Sequence, residues 1–164
     1  MPRYPEHLKH FTYVGYARYF LTFCTYQRRP YFHNADAVQL VRDQFLRATT
    51  EEACELFAYC FMPDHVHMLV EATREDADLK RFIKSAKQLS GYYFRRASHQ
   101  PLWQRYAYEH VVRRDEVTAA IARYIVENPL RAGLVVEVLA YPHWGSSVCT
   151  RAELLDYTAR AAWR

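Results

Sequence analysis

Two histidines separated by one residue, His65-Val66-His67, stand in a run that is otherwise largely apolar. If that run is a β-strand, side chains at i and i+2 project to the same face. His65, His67 and Leu69 then point one way, and Val66, Met68 and Val70 the other. The second set is wholly apolar and is the natural core face. Two imidazoles are left side by side on the opposite face, spaced to share one metal ion. A pair of ordinary surface or half-buried histidines gives the same pattern. A second constellation is Tyr124 and Asn128, four residues apart and so one turn apart on one helix face. A phenol there is a candidate nucleophile, and the Asn128 amide oxygen a candidate third metal ligand. Ile121, Tyr124 and Ile125 also read as a plain core stripe, and asparagine before proline often only ends a helix.

The elements that must position these groups follow from periodicity. Tyr16 to Tyr26 is dense in aromatic and β-branched residues and reads as a first strand. A helix is expected from about Asn34, a plausible N-cap, to Arg47. Leu56–Met62 and His65–Glu71 read as a hairpin turned by Pro63-Asp64, because proline presets the first turn position and aspartate suits the second. Residues 76–97 read as a long helix with Leu79, Phe82, Ile83, Ala86, Leu89 and Tyr93 as its apolar stripe. Arg105–Val112 alternates as a fourth strand. A further helix, capped by Asp115 and running from Glu116 to about Glu127, is expected to stop at Asn128-Pro129. The order β-α-β-β-α-β plus an extra helix predicts an α+β fold: a ferredoxin-like (RRM-like) antiparallel sheet with helices on one face. The extra helix would carry the tyrosine.

A length of 164 residues suits one domain, with a core at about 11–148 and a tail at about 149–164. No run approaches the roughly 20 apolar residues needed to span a bilayer, so a soluble, cytoplasmic protein without a membrane partner is expected. Cys24, Cys54, Cys60 and Cys149 are widely spaced and read as reduced, mostly packed thiols. Net charge is +4, but residues 80–114 alone carry +8. A localised basic surface on an otherwise acidic chain suits a polyanion, although a solvated helix face looks the same. Lys80, Lys84, Lys87, Arg95, Arg96, Arg105, Arg113 and Arg114 are its candidate phosphate contacts. Trp103, read in a turn, is the preferred base-stacking candidate, with Tyr92, Tyr93 and Tyr106 interleaved. Tyr93 is expected to pack in the core. His110 is ambiguous between a place near the site and a packed structural role.

Taken together, these pieces resemble a known family. Phe61-Met62-Pro63-Asp64-His65-Val66-His67-Met68-Leu69-Val70 resembles the histidine-hydrophobe-histidine strand of the single-tyrosine HUH transposases (IS200-like). Trp103-Gln104-Arg105-Tyr106 and Glu109-His110-Val111-Val112-Arg113 resemble the stretch before their catalytic helix. Tyr124-Ile-Val-Glu-Asn128-Pro129-Leu-Arg131-Ala132-Gly133-Leu134-Val135 resembles the REP-associated tyrosine transposase branch, as do Tyr141-Pro142, Trp144 and Ser146-Ser147. The dimeric insertion-sequence enzymes carry glutamine where this chain has Asn128, which puts autonomous transposition in doubt and leaves strand cleavage intact.

The resemblance implies a metal-dependent single-stranded DNA endonuclease and strand transferase. Tyr124 would be the nucleophile, giving a 5′-phosphotyrosine and a free 3′-hydroxyl, with His65, His67 and Asn128 holding Mg²⁺ or Mn²⁺. The partner implied is single-stranded DNA with a REP-like hairpin, bound by a monomer or homodimer. A non-catalytic nucleic-acid-binding module of the same fold is the alternative. A metal-dependent hydrolase using a water nucleophile is a third reading.

Overall fold

The computed structural model describes residues 14–112 and 115–161. Its strands are β1 (Arg18–Thr25), β2 (Cys54–Met62), β3 (His65–Ala72), β4 (Trp103–Val112) and the short β5 (Trp144–Gly145). They form one sheet in the order β4-β1-β3-β2-β5, with every pairing antiparallel. The first four are the ferredoxin-like arrangement expected from the sequence, and β5 extends the β2 edge. The helices are α1 (Ala35–Glu51), α2 (Leu79–Ser98), α3 (Asp115–Arg131) and α4 (Arg151–Ala159).

Alternation along β1 is strict: Tyr19, Leu21, Phe23 and Thr25 are buried while Arg18, Phe20, Thr22 and Cys24 are half-buried. The buried apolar set joins Val66, Met68 and Val70 of β3 under α1 and α2, which contribute Val38, Val41, Phe45, Phe82 and Ala86. A β-bulge between Leu56 and Ala58 resets the parity of β2. Leu56, Tyr59 and Phe61 thus share the first core, while Ala58, Cys60 and Met62 face the second. That second core lies on the histidine side of the sheet. Ala122, Ile125 and Val126 of α3, Trp144 and Leu154 of α4 close over it. The sheet is therefore covered on both faces.

Helix starts follow local chemistry. The Asn34 side chain accepts from the amides of Asp36 and Ala37, at 2.8 and 3.2 Å. Asp78 does the same for Lys80 and Arg81, at 2.9 and 3.3 Å. Thr150 and Glu153 form a capping box that starts α4.

Four expectations need correction. α3 does not stop at Asn128-Pro129 but runs to Arg131 with Pro129 inside it. Proline's fixed φ is helical, so its cost here is one backbone donor in the last turn, and Gly133 at φ +72° then ends the helix. The Asp115 cap concerns a side chain outside the described residues. Residues 151–159 are not a tail: Leu154 is fully buried and Tyr157 meets Phe57 edge-on at 5.1 Å. Tyr93 is exposed, because the buried stripe of α2 turns instead through Ser90 to Phe94. His110 is exposed rather than packed, paired with Phe20 on the histidine side of the sheet.

Candidate active site

β3 is the middle strand of the five, so hydrogen bonding to β1 and β2 fixes the backbone of His65 and His67 on both sides. Their rings stand 4.7 Å apart between centroids. Each imidazole is oriented through Nδ1. His65 Nδ1 lies 2.7 Å from Asp64 Oδ1, and His67 Nδ1 lies 2.8 Å from Thr22 Oγ1. Asp64 is in turn held by Arg28, whose Nε is 2.9 Å from Oδ2. Arg28 also donates to Cys24 Sγ at 2.7 Å. Thr25 ties the turn down, its hydroxyl donating to the carbonyls of Arg29 and Asp64 at 2.7 and 2.9 Å.

Burial decides the charge of the pair. His67 is 8% exposed. Desolvation, with smaller contributions from His65, Arg131 and Arg28, lowers its pKa to about 3. His65 is also lowered, since desolvation outweighs the Asp64 carboxylate. Both rings are therefore neutral at pH 7, so the Asp64–His65 contact is a hydrogen bond rather than an ion pair. A neutral ring that gives its Nδ1 proton to an oxygen presents a lone pair at Nε2, the arrangement of histidines that bind metals. These donors fit a divalent ion. Among the described residues no three of His, Cys, Asp and Glu converge on one point. Asn128, the third ligand expected from the sequence, is half-buried on α3, one turn beyond Tyr124.

Tyr124 comes to the histidines on α3. Its ring centroid is 5.7 Å from that of His67 and 5.9 Å from that of Phe20, which itself stacks on His67 at 5.4 Å. Yet Tyr124 is 46% exposed, whereas Ala122, Ile125 and Val126 beside it are buried. The core-stripe alternative for Tyr124 thus fails, and its ring faces both solvent and the His67 imidazole. Arg131 covers the ring, its guanidinium carbon 4.2 Å from the centroid.

The basic segment is placed elsewhere. Lys80, Lys84, Arg95 and Arg96 are exposed on α2, across the sheet from the histidines. Two open grooves follow this helix. One, of about 540 Å³, is lined by Arg47, Arg81, Lys84, Tyr92 and Tyr93. The other, of about 400 Å³, includes Arg95 and Arg105. Arg113 and Arg114 lie outside the described residues. Two candidates that line this second groove, Lys87 and Trp103, also make structural contacts. The Lys87 ammonium donates to the carbonyls of Gln104 and Arg105, at 2.7 and 3.1 Å, and pins α2 to β4. Trp103 lies in β4, not a turn. Its indole nitrogen donates to Ser90 Oγ at 2.8 Å, and its ring packs among Phe23, Phe32 and Phe45 at 5.6–6.0 Å.

Exposed aromatics do occur on the histidine side, at Tyr106 and Tyr108 of β4. Arg105 sits 5.3 Å from the Tyr106 ring centroid. Tyr108 pairs with Thr22 in the strand register, which lines it up with His67. Strand alternation through Tyr106, Tyr108 and His110 was the signal for it.

Comparison with known proteins bears on this layout. A solved structure of a REP-associated tyrosine transposase bound to a REP hairpin matches with a TM-score of 0.74 at 19% identity. The match covers 98% of this chain and 89% of that one, and it is a likeness of fold. The sequence, rather than this fold alone, gives the class: a DNA-processing enzyme of the transposase kind. A family model described as Transposase IS200 like matches residues 13–128, and the chain belongs to that family. A Haemophilus influenzae protein described as a REP-associated tyrosine transposase is 27% identical over 147 residues, 83% of each chain. A Deinococcus radiodurans R1 protein described as a transposase is 28% identical, with a TM-score of 0.52 over 73% of this chain and 95% of that one. The family likeness read from the sequence therefore stands. No described helix is long and apolar enough to cross a membrane.

Proposed function

We propose that this protein cuts and rejoins single-stranded DNA through a 5′-phosphotyrosine on Tyr124, at sequences next to a hairpin. The observation that carries the reading is the approach of an exposed phenol to His67, one of two adjacent neutral imidazoles, with ring centroids 5.7 Å apart. His65, His67 and Asn128 would hold the divalent ion, Mg²⁺ or Mn²⁺. Such an ion, when bound, orients a non-bridging phosphate oxygen and offsets the charge that builds in the transition state.

The chain's own residues set up the rest. Phe20 and His67 meet the Tyr124 ring edge-on and fix where its oxygen points. Tyr124 attacks phosphorus and the bond to the 3′-oxygen breaks. The phenol proton passes to solvent, and the 3′-oxygen takes up a proton. The phosphoester is kept in the adduct, so a 3′-hydroxyl reverses the step without ATP. The exposed aromatics of β4 offer stacking faces for unpaired bases on the site side of the sheet. The cations of α2 offer phosphate contacts on the other side. The solved structure bound to a REP hairpin supports a hairpin as the duplex part of the substrate. The work would be done in the cytoplasm, as monomer or homodimer.

The test uses 5′- and 3′-labelled single-stranded hairpin DNA from the flanks of the gene, with Mn²⁺ or Mg²⁺. A denaturation-resistant protein–DNA adduct that disappears in Tyr124→Phe is the expected result. An adduct that survives moves the nucleophile elsewhere. Binding with no adduct under either metal leaves a DNA-binding module.

A further inference from the structure

Tyr124 has a cation stacked on its ring, and the position of that cation goes beyond what a helix end requires. The Arg131 guanidinium lies 4.2 Å from the ring centroid, and its NH2 group donates to the Tyr124 carbonyl. Its acidic neighbour holds it only loosely. Glu127 Oε1 is 2.8 Å from Arg123 Nε, whereas Glu127 Oε2 is 3.7 Å from Arg131 NH1. The Arg131 side chain is 39% exposed, at the solvent side of the nucleophile. Any basic residue near a helix C-terminus interacts favourably with the last carbonyls. Stacking on a ring while keeping N–H groups for a second partner needs the planar guanidinium fork, which also matches the oxygens of a phosphate.

We propose that Arg131 is a catalytic residue, holding the Tyr124 ring from one face and binding the non-bridging oxygens of the phosphate that Tyr124 attacks. This rests on Tyr124 being the nucleophile. The phenol oxygen forms the new bond to phosphorus as the bond to the 3′-oxygen breaks. The phenol proton leaves to solvent, and the departing 3′-oxygen takes one up. The diester carries one negative charge before and after, but more in the five-coordinate transition state. Arg131 remains a cation throughout, so its contact is strongest at that point. Cutting and rejoining share this transition state, and Arg131 serves both equally.

Single-turnover cutting and rejoining of a labelled hairpin oligonucleotide, at saturating protein with Mn²⁺, tests this in Arg131→Ala and Arg131→Lys. Both rates should fall by about 100-fold or more in the alanine variant, by the same factor, and less in the lysine variant. DNA affinity, measured in a Tyr124→Phe background, should change by less than about threefold. Added methylguanidinium should restore part of the alanine variant's rate, which a residue that merely caps the helix would not show. Rates within about threefold of wild type, a loss carried wholly by DNA affinity, or a folded alanine variant deaf to methylguanidinium would each overturn the proposal. If wild type makes no adduct, or Tyr124→Phe keeps it, the nucleophile assignment falls and Arg131 with it. A wild-type adduct with an indifferent Arg131 removes only Arg131.

Discussion

Thr22→Val isolates one hydrogen bond in the site. Valine keeps the shape and the β-branching of threonine, so β1 loses little as a strand. What it loses is the hydroxyl 2.8 Å from His67 Nδ1. His67 is 8% exposed, so water does not readily replace that partner. An unpaired buried polar group costs about 1–3 kcal/mol. In a chain of this size that lowers Tm by roughly 3–10 °C without metal. A second loss appears only with metal. Removing the group that orients a ligand histidine weakens metal binding by about 10- to 100-fold. At a fixed saturating Mn²⁺ concentration, the metal-induced gain in stability should then shrink by about 1.4–2.8 kcal/mol. Thermal melts with and without Mn²⁺, with calorimetric titration of the folded protein, separate the two effects. A lower apo Tm with an unchanged metal response would remove His67 from the ligand set. An unchanged apo Tm would refute the claim that Thr22 holds the ring at all.

Three further outcomes follow from the placement of the aromatic and basic residues. Burial lowers the Lys87 pKa from 10.5 to about 8, so between these values the unfolded chain binds more protons and this residue's contribution to stability rises with pH. Urea unfolding of wild type against Lys87→Met at pH 8 and pH 10 should show that rise in wild type alone, and parallel curves would contradict it. Trp103→Leu should cost about 2–4 kcal/mol in stability while single-stranded DNA affinity stays within about twofold. A large affinity loss in the folded variant would return Trp103 to the DNA surface. Tyr106→Ala and Tyr108→Ala should each weaken oligothymidine binding by about 1–3 kcal/mol with little change in Tm. Unchanged binding in both would send the strand along another path.

What could be read from the sequence was what short-range periodicity encodes. The parity of β3 is a property of six consecutive residues, so the His65 and His67 face was visible before any partner strand was known. The spacing of Tyr124 and Asn128 was equally local. The failures lie where a residue's role depends on a distant element. Trp103 looked like a turn residue until β4 was extended to it, and its ring is claimed by Phe23, Phe32 and Phe45 from three other segments. Lys87 has the charge of a phosphate contact, but carbonyls 17 and 18 residues on receive its ammonium. β5 has two residues and no period of its own, and α4 has one fully buried apolar residue, Leu154, so neither announced itself. Pro129 misled because the rule against proline concerns helix interiors, whereas here it stands in a last turn.

The position of α3 limits how the chemistry can run. Ile125 and Val126 are fully buried on the sheet side of the helix that exposes Tyr124. At about 1.5–3 kcal/mol for each such side chain, lifting α3 from the sheet costs roughly 3–6 kcal/mol before Ala122 is counted. A state of that cost is populated at about one part in a hundred or less. While α3 keeps this packing, Tyr124 stays beside His67 of its own chain. In the proposed reaction the exchange must then fall to the DNA. The 3′-hydroxyl that rejoins has to occupy the place left by the one that departed, against a phosphotyrosine that does not move. Recognition of where a strand lies, by the β4 aromatics on the site side and the α2 cations on the other, then decides which end is joined to which.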